Sequence, residues 1–156
     1  DYIATAVADL DGDGDADLVV GAKDGTLRYY ERLPDGSFVQ RSGAENPFAG
    51  IDVGQFSAPA FSDIDNDGTL RPCPSIDCDI ACFLSPAGDL DLLVGEWGDG
   101  KLNYFENTGT STAPVFVART GSANPFDDID FGSGWNTPAL GDLDGDGTLR
   151  PRPSID

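Results

Sequence analysis

The residues best placed to do chemistry are aspartates at alternate positions. In Asp9–Gly14, DLDGDG, they fall at Asp9, Asp11 and Asp13, and Asp17 follows, giving the pattern D-x-D-x-D-G-x-x-D. On a tightly curled chain alternate carboxylates converge on one point, and Gly14 supplies the positive φ that a sharp turn requires. The backbone carbonyl of Asp15 is placed to add another oxygen, and Asp17 closes the set from the start of the next strand. Such an all-oxygen, carboxylate-rich cage suits Ca2+ better than zinc or copper. Two carboxylates about 4 Å apart repel by roughly 1 kcal/mol in water and about 4 kcal/mol at an effective dielectric of 20. A divalent ion reverses the sign of that energy.

The loop returns as DIDNDG at Asp63–Gly68 and as DLDGDG at Asp142–Gly147. It is not an EF-hand, which needs Glu at position 12. Counted from Asp9, Asp63 and Asp142, that position holds Val20, Pro74 and Pro153. No GGxGxD repeat is present either. The alternative is a set of metal-free Asp-Gly turns, against which three loops in register argue. With 9 basic and 28 acidic residues the formal charge is −19. That charge repels nucleic acid and anionic membranes and favours divalent cations. No run of 18 apolar residues suggests a membrane helix or direct membrane insertion.

The elements that must hold these loops are short and repeat. An apolar segment at Thr5–Asp9 leads into the first loop, and a Val-rich strand follows at Ala16–Gly21. Asp24-Gly25 signals a hairpin into a second strand, LRYYE at Leu27–Glu31. Pro34-Asp35-Gly36 marks a turn before a strand at Phe38–Arg41. The order then recurs: Ala58–Ser62, Leu90–Gly95, Asp99-Gly100, LNYFE at Leu102–Glu106, and Val115–Arg119. SGAENPF at 42–48 matches TGSANPF at 120–126. The chain divides into a first repeat at 1–57, a second at 58–136 with an insertion at 69–88, and the start of a third at 137–156. Four short strands per repeat and no long amphipathic helix predict an all-β fold of antiparallel, four-stranded β-propeller blades. About two blades plus the start of a third are present, too few to close a ring. As the chain starts at Asp1 and stops within a repeat, a piece of a longer protein is expected. A β-sandwich is the rival all-β arrangement.

The pattern of PAL at 138–140, GDLDGDG at 141–147, DLDLLVG at 89–95 and LNYFEN at 102–107 resembles the FG-GAP/VCBS repeats of calcium-binding β-propellers, the blade type of the integrin α-chain head. The resemblance extends over nearly the whole chain except 69–88 and 148–156. It implies Ca2+ ligands at Asp9, Asp11, Asp13, Asp15 (through its carbonyl) and Asp17. In the second copy it implies Asp63, Asp65, Asp67, Asp89 (carbonyl) and Asp91. In the third only Asp142, Asp144 and Asp146 match, and Arg150 stands where the closing aspartate belongs.

The insertion falls inside the second loop. TLRPCPSID at 69–77 recurs as TLRPRPSID at 148–156, beginning after the same Asp-Gly. Either it is a surface excursion that leaves Asp89 and Asp91 free to close the site, or it is translated non-coding sequence. Cys73, Cys78 and Cys82 lie within it, lack CxxC spacing, and have no histidine in the chain to join them. The alternating aromatics Tyr29, Tyr30, Tyr104 and Phe105 are read as packing between blades. Trp97 and Trp135, in Gly-rich loops, either pack beneath those loops or meet a sugar or protein.

Without His, GxSxG, Walker A or GxGxxG, no catalytic constellation is visible, so the chain is expected not to be an enzyme. The first expectation is a secreted or cell-surface Ca2+-binding propeller module that recognises a protein or carbohydrate. The second is an accessory propeller of a polysaccharide-active or other extracellular enzyme. The third is an ordinary acidic domain with metal-free turns.

Overall fold

The computed structural model describes residues 3–65, 89–98, 100–132 and 134–140. The insertion with its three cysteines, Asp67, and the third loop with Asp142, Asp144 and Asp146 lie outside the described residues. The first four strands are β1 (Thr5–Ala8), β2 (Asp17–Gly21), β3 (Leu27–Arg32) and β4 (Phe38–Arg41). The next four are β5 (Ala58–Ser62), β6 (Asp91–Gly95), β7 (Leu102–Asn107) and β8 (Phe116–Arg119). They form two antiparallel sheets in the orders β1-β2-β3-β4 and β5-β6-β7-β8. Every expected strand is present within a residue or two of its expected ends.

Register is the same in both sheets. Val19 lies opposite Tyr29 and Leu93 opposite Tyr104; those tyrosines face Arg41 and Arg119 on the outer strands. The turns explain the pairing. Gly25 and Gly100 adopt φ of +83° and +79°, which only glycine takes without strain. Their carbonyls accept hydrogen bonds from Val53 (3.1 Å) and Phe131 (3.0 Å) in the connection that follows each blade. A Cβ at either glycine would sit within 2.6 Å of that connection's backbone. At the other end of the first sheet, Asp35 accepts from the Ser37 amide at 2.9 Å and hydroxyl at 2.6 Å. The outer strands are also clamped by bidentate pairs, Glu31 with Arg41 and Glu106 with Arg119.

The repeated Asn-Pro-Phe segment forms a corner. Asn46 Nδ2 donates to the Leu27 carbonyl at 3.4 Å, while its Oδ1 accepts from the Phe48 amide at 3.0 Å. Asn124 does the same with Leu102 and Phe126, at 3.1 and 2.9 Å. The corner turns Phe48 inward. Its ring stacks on Phe116 at 5.2 Å and also meets Tyr29 and Phe61, joining the two sheets. One core runs between the sheets through Val19, Leu27, Tyr29, Phe48, Leu92 and Val94. A second lies on the far side of the second sheet, with Leu93, Leu102, Tyr104 and Phe126 at its centre and Leu140 against it.

Strand β6 therefore buries both faces, Leu92 and Val94 into one core and Leu93 into the other. A sheet of a two-layer sandwich keeps one face in water, whereas a propeller blade is covered on both sides by its neighbours. The sheets are two blades of a β-propeller-like array, and they do not close.

Candidate metal centre

Each aspartate loop joins the first two strands of a blade, β1 to β2 and β5 to β6. In the first loop Asp9 Oδ1 accepts from the Gly12 amide at 2.8 Å, and Oδ2 from the Gly14 amide at 3.1 Å. Asp11 Oδ1 accepts from the Asp13 amide at 3.1 Å, and Asp13 Oδ1 from the Asp15 amide at 2.8 Å. These local bonds curl the chain in the way short Asp side chains favour. Gly12 and Gly14 take φ of +77° and +92°. As a result one carboxylate oxygen from each of Asp9, Asp11 and Asp13 comes within 4.8 Å of the others. Asp15 turns its carboxylate to Arg32 at 3.5 Å.

Asp17 has a different setting. It is completely buried. Its Oδ2 accepts from the Leu10 amide (3.1 Å) and the Tyr29 hydroxyl (2.9 Å), and its Oδ1 from the Arg32 amide (2.9 Å). One carboxylate thus binds the loop, β2 and β3 together. Asp91 repeats this with the Ile64 amide (3.0 Å), the Tyr104 hydroxyl (3.0 Å) and the Asn107 amide (2.8 Å). In the second blade Asp91 also lies in the cluster itself, with oxygens of Asp63, Asp65 and Asp91 within 4.8 Å of one another. Asp65 donates its amide to Asp91 Oδ2 at 3.3 Å. Asp89 is half-buried just ahead of β6.

The electrostatics differ along the loop. Burial, with the charges of Asp17 and Asp13 added to it, pushes the Asp11 carboxyl above its usual range against the pull of the Asp13 amide. Burial also raises Asp17 and Asp91, although amide donors and the tyrosine hydroxyl oppose the shift. Burial and the bond to the carboxylate push both tyrosines up. The tyrosines thus remain protonated donors, which is the form the hub needs.

Packing was the whole role expected of Tyr29 and Tyr104 from sequence. The signal that could have revealed the hub is a tyrosine 12 residues after Asp17 and 13 after Asp91, at the same point of both blades. Trp97 and Trp135 contact each other at 6.2 Å, yet they remain 43 % and 53 % exposed.

Antiparallel four-stranded blades with an aspartate loop between the first two strands define a class of protein, the β-propeller-like repeat. Residues 9–70 match the family model of the FG-GAP-like repeat, so the chain carries a repeat of that family. The match takes in the first loop, β2 to β5 and the opening of the second loop. Comparison with curated proteins and with solved structures gives no match. No helix among the described residues is long and apolar enough to cross a membrane.

Proposed function

We propose that the chain is a Ca2+-binding module of an extracellular or cell-surface β-propeller that serves adhesion or molecular recognition, in the manner of integrin-like FG-GAP/VCBS repeats. The observation that carries this reading is the convergence of the Asp9, Asp11 and Asp13 carboxylates in a loop shaped by Gly12 and Gly14. The donor set is hard oxygen throughout, which fits Ca2+. Asp9, Asp11 and Asp13 would hold the ion with the Asp15 carbonyl, and Asp17 would brace them from behind. In the second blade Asp63, Asp65 and Asp91 are the corresponding group. The ion supplies charge neutralisation, and the chain supplies a scaffold that transmits it. Because Asp17 bonds the loop to β3, fixing the loop also fixes the register of the inner strands.

Binding is favoured over catalysis in this reading. The chain has no histidine, and the carboxylates that converge among the described residues are those of the loops.

Calorimetry in EDTA and in 1 mM Ca2+ tests the proposal. For a site with a dissociation constant of about 0.1 mM, native-state binding contributes roughly 1.4 kcal/mol, or about 3–5 °C in Tm. Asp13→Ala should remove most of the first site's share. An unchanged Tm at millimolar Ca2+ in the parent chain would sink the calcium reading.

A further inference from the structure

The aspartate loops and the β3–β4 and β7–β8 turns occupy one end of the sheets. The two turns differ in length. Five residues, 33–37, join β3 to β4, and eight residues, 108–115, join β7 to β8. The longer turn is built on Asn107, which is buried. Its Oδ1 accepts from the amides of Gly109 (3.0 Å) and Val115 (2.9 Å), and its Nδ2 donates to the Thr110 carbonyl at 3.5 Å. Thr110 and Ala113 exchange both backbone hydrogen bonds at 3.2 Å, and the Ala113 amide also reaches the Thr110 hydroxyl at 3.1 Å. In the first blade Arg32 takes the place of Asn107 and turns to Asp15 instead.

This turn of the second blade touches the aspartate loop of the first. A Cβ at Gly12 would overlap the Thr112 methyl group and lie 3.2 Å from the Thr112 Cβ. Gly12 is the residue whose amide holds Asp9 Oδ1, and it stands between Asp11 and Asp13. Threonine is stiff about χ1 because it is β-branched, whereas glycine has the most backbone freedom to lose. A stiff methyl group on a braced turn restricts that freedom from outside the loop.

We propose that the β7–β8 turn is a strut for the first aspartate loop, so that the Asp9, Asp11 and Asp13 carboxylates converge fully only when the second blade is docked on the first. The strut is anchored at the second hub, since the Asn107 amide donates to Asp91 Oδ1 at 2.8 Å. One residue thus ties the buried aspartate of one blade to the loop of the other. For a bound cation, a consequence that rests on the calcium reading above, the strut lowers the cost of ordering the loop. By reciprocity, an ion in the first loop tightens the seating of the second blade.

Backbone 15N order parameters of the Gly12 and Gly14 amides in EDTA test the strut without an ion. In the parent chain both should lie near the ~0.85 of ordered backbone, and Thr112→Gly should take them below ~0.6. Thr112→Val, which keeps the methyl group, should leave them unchanged, as should Ser111→Ala beside it. A double-mutant cycle read at the Gly14 amide checks the contact itself. Asn tolerates positive φ and stands at the equivalent position of the second loop as Asn66. Gly12→Asn should therefore loosen the loop in the parent chain by disturbing Thr112, and have little further effect on top of Thr112→Gly. In titration calorimetry with Ca2+, Thr112→Gly should weaken the first site by about fivefold, the cost of ordering the backbone of one residue. Unchanged order parameters in Thr112→Gly, equal loosening by Thr112→Val, or additive effects in the cycle would each overturn the proposal. If the parent chain binds no Ca2+ while the order parameters respond as expected, the calcium reading falls and the strut stands. If Thr112→Gly binds Ca2+ as tightly as the parent chain, the strut falls alone.

Discussion

The two blades use nearly the same residues at equivalent positions but bury them differently. In β6, Leu92 and Val94 are fully buried; in β2, their counterparts Leu18 and Val20 are only half-buried. Phe61 and Phe116 pack into the core between blades, while their counterparts Val7 and Phe38 are 67 % and 50 % exposed. The local pattern is shared, so the difference comes from the neighbour. The second blade lies against the first through Phe48, whereas the described residues place no sheet against the outer face of the first. What a blade contributes to stability is therefore partly a property of the boundary between blades, as in other repeat architectures.

The sharpest way to break this comparison is to remove the wedge. Phe48→Ala takes away a ring that contacts Tyr29 in its own blade and Phe61 and Phe116 across the boundary, and it should cost about 3–5 kcal/mol in urea denaturation. Phe126→Ala removes the matching ring, which among the described residues meets the single ring of Tyr104, and should cost measurably less. Equal costs would show that the boundary is not what distinguishes the blades.

The buried hubs should respond alike to loss of the tyrosine in both blades, because three equivalent donors surround each aspartate, with the Asp65 amide a fourth at Asp91. Tyr29→Phe and Tyr104→Phe each remove one donor from a buried carboxylate, so each should cost about 1–3 kcal/mol. A large difference between them would mean that the hub, like the core, depends on its neighbours.

A smaller effect is expected from pH. Asp11, Asp17 and Asp91 are raised in the folded chain, so between the ordinary and the raised values the native state binds more protons than the unfolded one. Stability in EDTA should then increase as pH is lowered from 7 into that window. Glu31 and Glu106 are held low, chiefly by hydrogen bonds to Arg41 and Arg119, and their contribution is lost at more acid pH, as it falls through their folded values. With Ca2+ present the first trend should flatten or reverse, because protons compete with the ion for the same carboxylates. Parallel melting curves across pH in EDTA and Ca2+ would contradict this account.

Much of the fold was legible because its signals are local. Alternation in LVVG and LLVG, Asp-Gly and Pro-Asp-Gly at the turns, and recurrence of whole segments fixed the strands and their order. The aspartate loop was equally legible, since Asp side chains bond amides two to five residues away and glycine alone relaxes the turn. The hub was not legible. Asp17 reads as another loop carboxylate until β3 brings the Tyr29 hydroxyl and the Arg32 amide to it. Nor was the meeting of the rings of Phe56, Trp97 and Trp135.

The sequence by itself determined a repeating blade, its turns and an oxygen-rich loop, all of which depend on interactions within a few residues. Only the tertiary structure decided which aspartate is buried as a brace and which aspartates gather their oxygens. It also decided that Phe48 joins the blades while Val7 and Phe38 stay in water, and that two tryptophans remain exposed. These outcomes turn on which surfaces meet across distant parts of the chain, and burial is a property of that meeting rather than of any residue alone.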